Sequence, residues 1–120
     1  MGMENNSKEL AENAAKLLLE CAIETVDESL INCKNNAKAG TPVKTGLLRR
    51  KWTCSKASLS NEGVTGEVGN PVEYAEAVEY GHKTKNGGVV AGYHMLQDAM
   101  TIEEGNIADN FHKKVSEKFG

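Results

Sequence analysis

A helical apolar pattern running from Leu10 to Ala37 constrains this chain more than any other feature. Leu10, Ala14, Leu17, Leu18, Cys21, Ala22, Val26, Leu30, Cys33 and Ala37 recur at three- and four-residue steps, the period of a helix with one buried stripe. Ser7 stands before the pattern as an N-cap and Glu9 lies in the first turn. The pattern predicts a helix over 7–38, with residues 1–6 disordered. Ala39-Gly40-Thr41-Pro42 ends it, because glycine tolerates a left-handed cap and proline cannot continue a helix. Such a helix is roughly 45 Å long. The chain has 120 residues, enough for a single domain over 1–120. A helix of this length must therefore project from the body, or run along a sheet and a neighbouring subunit. Hydrophobic residues make up 39% and aromatics 5%, so a small core supplemented by subunit contacts is expected.

The remainder reads as short elements. Thr41 to Lys51 is a polar, basic connector in which Thr45 is placed to cap a turn through Gly46-Leu47-Leu48-Arg49-Arg50. Trp52–Ser60 and Val64–Gly69 read as two strands joined by the turn Asn61-Glu62-Gly63. The first strand changes phase, since Trp52 and Cys54 share one face and Ala57 and Leu59 the other. A bulge near Ser55-Lys56 restores the alternation. Val72–Tyr80 reads as a short helix stopped by Gly81, and Val89-Val90-Ala91 as a short strand. Lys83, Thr84, Lys85, Asn86, Gly87 and Gly88 form a flexible polar loop. A last helix runs from about Tyr93 toward Phe119, with Leu96, Ala99, Met100, Ile107, Phe111 and Val115 on its apolar face and Gly105 marking a bend. The expected fold is α+β: long N- and C-terminal helices packed on a small antiparallel sheet, with a short helix between strands. Trp52, Val64, Val68 and Tyr74 are expected in or near its core.

Charge is segregated. Lys44, Arg49, Arg50, Lys51 and Lys56 occupy residues 41–60 without an acid, and Glu62, Glu67, Glu73, Glu76 and Glu79 occupy 61–80 without a base. Blocks of opposite sign pair within a fold or between copies of it. The formal net charge is only −3.

Catalytic and metal chemistry find little support. His82, His94 and His112 are the only histidines. They form no i, i+4 pair, and Cys21, Cys33 and Cys54 have no ligand spacing. The cysteines read as reduced thiols or small buried hydrophobes. Cys54 lacks the framing of a nucleophile, and a hydrolase built on Glu79, His82 and His94 is remote. No cofactor, no metal and no enzymatic activity are expected. No apolar run approaches the ~20 residues that span a bilayer, and the polar start lacks a signal-peptide layout, so no membrane association is expected. Arg49-Arg50-Lys51-Trp52 sets three bases beside an aromatic, a pattern suited to phosphate contact and base stacking. A small nucleic-acid-binding module is therefore the alternative reading.

Three segments carry a resemblance. Thr41 to Trp52 (TPVKTGLLRRKW), Gly66 to His82 (GEVGNPVEYAEAVEYGH) and Gly92 to Ala99 (GYHMLQDA) resemble, in the same order, segments of the tail-component proteins of long-tailed phages and prophages. The chain is similar to the neck or tail-completion proteins of lambda-like phages over roughly residues 7–118. The family often has Pro-Phe before the leucine of the last helix, where this chain has Tyr93-His94-Met95. The resemblance implies a structural protein of the head–tail junction, monomeric when free and ring-forming on assembly. Its expected partners are further copies of itself, the head connector and tail-tube or tail-terminator proteins, with DNA met only as it passes through the lumen. It is expected in the virion, and in the bacterial host cytoplasm during assembly. The expected subunit interface sets Arg49, Arg50 and Lys51 against Glu73, Glu76 and Glu79 on different faces of the subunit. The resemblance makes the 83–88 loop a candidate to face the ring lumen or the tail tube.

Overall fold

The computed structural model describes residues 3–44 and 46–120; the expected Thr45 cap lies outside them. Helix α1 spans Met3–Ala39 and α4 spans Met95–Phe119. Between them lie α2 (Gly46–Arg50), β1 (Thr53–Cys54), β2 (Ser58–Ser60), β3 (Gly63–Thr65), β4 (Val68–Gly69), α3 (Ala75–Tyr80), β5 (Gly81–Lys83) and β6 (Val89–Ala91). This is the expected α+β arrangement of long terminal helices, small antiparallel ladders and a short intervening helix. α1 begins before Ser7 and takes in residues 3–6, which the pattern had left outside the helix.

The two long helices lie antiparallel. Lys114 pairs with Glu28, and Lys118 with Glu20 and Glu24, while Gly40 at the far end of α1 sits beside Met95. Solvent screens these exposed pairs; they mark register more than they add stability. The seam on α1 is Cys21, Thr25, Ser29, Cys33 and Ala37, one small residue per four, which lets α4 approach closely. Thr25 satisfies its hydroxyl on the Cys21 carbonyl at 2.7 Å, so a polar residue is tolerated there.

α4 ends near the level of Glu20, so the first seventeen residues of α1 (roughly 25 Å of helix) run on past the body. This overhang is why the molecule measures 79 × 26 × 22 Å with a radius of gyration of 20.0 Å, against about 13–14 Å for a compact chain of this length. It also corrects part of the expected stripe. Leu10 is 69% exposed and Leu18 also lies open, because nothing within the subunit reaches them. Met100 is likewise exposed on α4, while Met95, which the pattern did not assign to the core, is buried.

The core gathers Cys33, Ala37, Leu48, Trp52, Met95 and Ala99, with Val68, Val72, Ala75, Val78 and Leu96 packed on it. Trp52 and Val68 are where the sequence placed them, and Val64 is half-buried. Tyr74 is not: it is 40% exposed. The expected helix from Val72 begins only at Ala75, because Asn70 accepts the Val72 amide at 3.1 Å and holds Pro71-Val72 in a turn. Tyr74 then sits at the helix mouth rather than on its inner face.

The strands form one interrupted hairpin and one short one. β1 pairs with β4 and β2 with β3. Between these ladders three residues, Ser55–Ala57, oppose two, Gly66 and Glu67. That extra residue is the expected bulge. The Ala57 amide it frees donates to Asp27 Oδ1 of α1 at 2.6 Å, and Gly66 packs against the end of the Leu30 side chain, which a Cβ there would have to displace. The turn has two residues, Asn61-Glu62, since Gly63 already pairs with Ser60. β5 and β6 pair from Gly81↔Ala91 to Lys83↔Val89. The expected loop from Lys83 is therefore a hairpin end closed by Thr84 and Gly88, with the Thr84 amide 2.8 Å from the Gly88 carbonyl.

Candidate interaction surface

Four residues of the first two sequence segments, Thr41, Trp52, Asn70 and Glu79, make internal hydrogen bonds. Trp52 Nε1 donates to Thr41 Oγ1 at 2.8 Å, and Thr41 Oγ1 donates to the Ala37 carbonyl at 2.8 Å. The first and last residues of TPVKTGLLRRKW are thereby tied to each other and to the end of α1. Asn70 Nδ2 donates to the Leu48 carbonyl at 2.7 Å, joining the second segment to the first. Glu79 joins the second to the third: its carboxylate accepts the Leu96 amide at 2.9 Å and the Gln97 amide at 3.0 Å. Those are free donors in the first turn of α4, and a carboxylate at a helix N-terminus is doubly favourable there. His94, in the N-cap position, adopts a left-handed conformation (φ 50°, ψ 40°) and makes no side-chain cap bond. Glu79 caps from α3 instead.

This corrects one expected interface residue. Glu79 is buried and its oxygens are occupied, so it does not face a partner. Replacing it tests the cap. Glu79→Ala is expected to cost about 1–3 kcal/mol, with Glu79→Gln losing less. Urea unfolding at unchanged m-value measures the loss, and amide exchange should quicken first at Leu96 and Gln97.

Arg49, Arg50 and Lys51 are exposed around α2, as are Glu73 and Glu76 beside and on α3. Among the described residues no ion pair joins the basic and acidic blocks. They are nevertheless not on opposite faces, since Lys51 and Glu73 line one shallow groove with Leu47, Pro71, Val72 and Tyr74. The expectation of separate faces fails there because Pro71 turns the chain back across α2. Leu48 docks in the core but Leu47 stays exposed, one residue on each side of a single helical turn.

Trp52 is buried with its indole N–H engaged, so it offers no stacking face beside the arginines. That removes the aromatic half of the alternative nucleic-acid reading. Among the described residues no group of three or more His, Cys, Asp or Glu is placed to hold a metal ion. Cys21, Cys33 and Cys54 are free thiols. Burial, and then the neighbouring Glu103 carboxylate and Cys54, push the Cys33 thiol above its ordinary pKa, the direction opposite to an activated nucleophile. No described helix is long and apolar enough to cross a membrane.

What this architecture offers is surface: an overhanging helix with open apolar residues, and basic residues on a short turn that make no ion pair among the described residues. A family model described as "Bacteriophage HK97-gp10, putative tail-component" matches residues 3–81, α1 through the start of β5. The chain belongs to this HK97-gp10-like family of phage tail components. No curated protein and no solved structure matches it.

Proposed function

We propose that the chain is a non-enzymatic structural subunit of the phage head–tail junction, a neck or tail-completion protein. It closes into a ring between the end of the tail tube and the head connector. Family membership over residues 3–81 carries this reading. The exposed Leu10, Leu18 and Leu19 of the overhang support it, since an apolar helix face left open on a subunit gains by packing against a partner. Arg49, Arg50 and Lys51, without an ion pair among the described residues, supply a charged patch that steers docking. Ring closure sums many weak contacts into a stable whole.

Deleting the gene from an inducible prophage tests the role. Filled heads and finished tails that fail to join, seen by negative-stain microscopy and corrected by supplying the chain in trans, are expected. Joined particles without the chain would sink the proposal. An absence of tails altogether would move the chain from the junction into tube building.

A further inference from the structure

A cleft of about 750 Å³ opens where α1, α4 and the β3–β4 segment meet. Val26, Leu30, Val64, Val68, Met100 and Ile107 make most of its wall apolar. Two polar atoms interrupt it. Ser29 Oγ and Glu103 Oε2 are closed off from solvent and have no hydrogen-bond partner among the described residues. Their residues are only 8% and 7% exposed. A buried carboxylate oxygen without a donor is unfavourable. Ser29 contrasts with Thr25 one turn earlier, whose hydroxyl bonds back to its own helix. Both orphaned atoms can accept N–H donors. Glu67 and Glu104, exposed residues that also line the cleft, add negative charge, so the site favours a cation and repels nucleic acid.

A guanidinium on an apolar stem fits this description. It presents five donors in a plane, enough for a carboxylate and a hydroxyl together, and is more weakly hydrated than an ammonium. The chain's two arginines, Arg49 and Arg50, are both exposed with no ion pair among the described residues. Arg50 folds back over its own turn, with Nη1 3.3 Å from where a Cβ on Gly46 would stand. α2 docks through Leu48 into the core near Ala37, whereas the cleft lies along Val26 to Cys33. Donor and acceptor are different patches, as a head-to-tail contact in a ring requires.

Resting on the ring reading above, we infer that Arg49 of one copy inserts into the Ser29–Glu103 cleft of the next. Its stem lies along Leu30, Val64 and Met100, and its guanidinium meets Glu103 Oε2 and Ser29 Oγ. Because neither atom touches solvent in the free subunit, docking includes a rotamer change of Glu103 toward the mouth. That change sacrifices no hydrogen bond at Oε2.

Site-specific cross-linking tests the occupant directly. Benzoylphenylalanine placed at Glu104, and separately at Glu67, is photolysed in the concentrated full chain and in purified particles. The expected product is a dimer of the chain whose linked peptide contains Arg49. Arg49→Gln and Glu103→Gln should each lower its yield about tenfold or more. Met100→Lys, a repelling charge on an exposed side chain, should do the same and decides the matter if Glu103→Gln disturbs folding. A link to another protein or another segment, or no link from either position in either sample, overturns the inference. So does an unchanged yield in the Arg49→Gln chain. A dimer link in the concentrated chain, with the chain missing from particles, would instead overturn the junction role and leave the cleft assignment standing.

Discussion

Gly81→Ala is expected to destabilise the subunit by about 2–4 kcal/mol, a large share of the 5–15 kcal/mol that a domain of this kind possesses. Two costs combine at this position. Its φ of +87° lies where a side chain is strained. A Cβ there would also press on the Val90 carbonyl oxygen and stand 2.8 Å from the Gly92 nitrogen and 3.1 Å from the Ala91 carbonyl carbon. All three are backbone atoms, of β6 and of the residue that follows it, so no side chain can turn aside. The same junction sets the Tyr93 and His94 amides on the Val78 and Glu79 carbonyls at 2.9 and 3.0 Å. Forcing it apart therefore withdraws Glu79 from the first turn of α4. Gly87→Ala is the control. It has a similar φ of +82° but open space around it, so only the conformational cost of about 1–2 kcal/mol applies. Urea unfolding of the two variants separates packing from strain. Equal losses would mean that the α3–β5–β6–α4 junction is not close-packed.

That junction also marks the limit of what the sequence discloses. The long helices were legible because their apolar residues repeat over many turns, and the bulge because Trp52, Cys54, Ala57 and Leu59 cannot share one face of an unbroken strand. The Glu79 cap was not legible, although a sign of it was present. Tyr93-His94-Met95 offers no Ser, Thr, Asp or Asn to begin a helix, so the donors of α4 had to be met from elsewhere. The seam of α1 was half legible. Thr25 and Ser29 carry hydroxyls and read as surface, yet they are buried because α4 needs small residues opposite it. Leu10 and Leu18 read as core and are open, because periodicity tells which face of a helix is apolar but not whether the chain itself can cover it.

The segments that resemble the tail-component family are informative in an unexpected way. Glu79 was expected at an exposed interface and Trp52 offered a stacking face in the alternative reading, yet these two, with Thr41 and Asn70, are spent on internal hydrogen bonds. The shared wording thus describes how three segments are fastened around Leu48 and Met95. On the proposed reading, partner recognition falls to residues outside those fasteners: the α1 overhang, Arg49 and the cleft beneath Met100.

Reversing the α2 charges is expected to abolish joined particles while leaving the subunit folded. Arg49→Glu with Arg50→Glu touches two exposed side chains that make no ion pair among the described residues. Their effect on stability should stay within about 0.5 kcal/mol, measured by thermal unfolding. Assembly is different, because in the proposed ring each copy repeats the same contact and like charges facing one another cost several kcal/mol per interface by the usual measure of mismatched pairs. Two acidic sets compete to receive the arginines, and compensating reversals tell them apart. Glu73 shares a groove with Lys51 of the same subunit, so Glu73→Lys with Glu76→Lys alters the charge beside α2 within one copy, leaves the cleft acidic, and should restore nothing. Glu67 and Glu104 line the cleft that holds Glu103. Glu67→Lys with Glu104→Lys should bring back part of the joined-particle yield to the reversed chain, and should lower it when introduced alone. Recovery with Glu73→Lys and Glu76→Lys instead would return the interface to the face of α3. A reversed chain that joins heads and tails normally would remove α2 from the interface altogether.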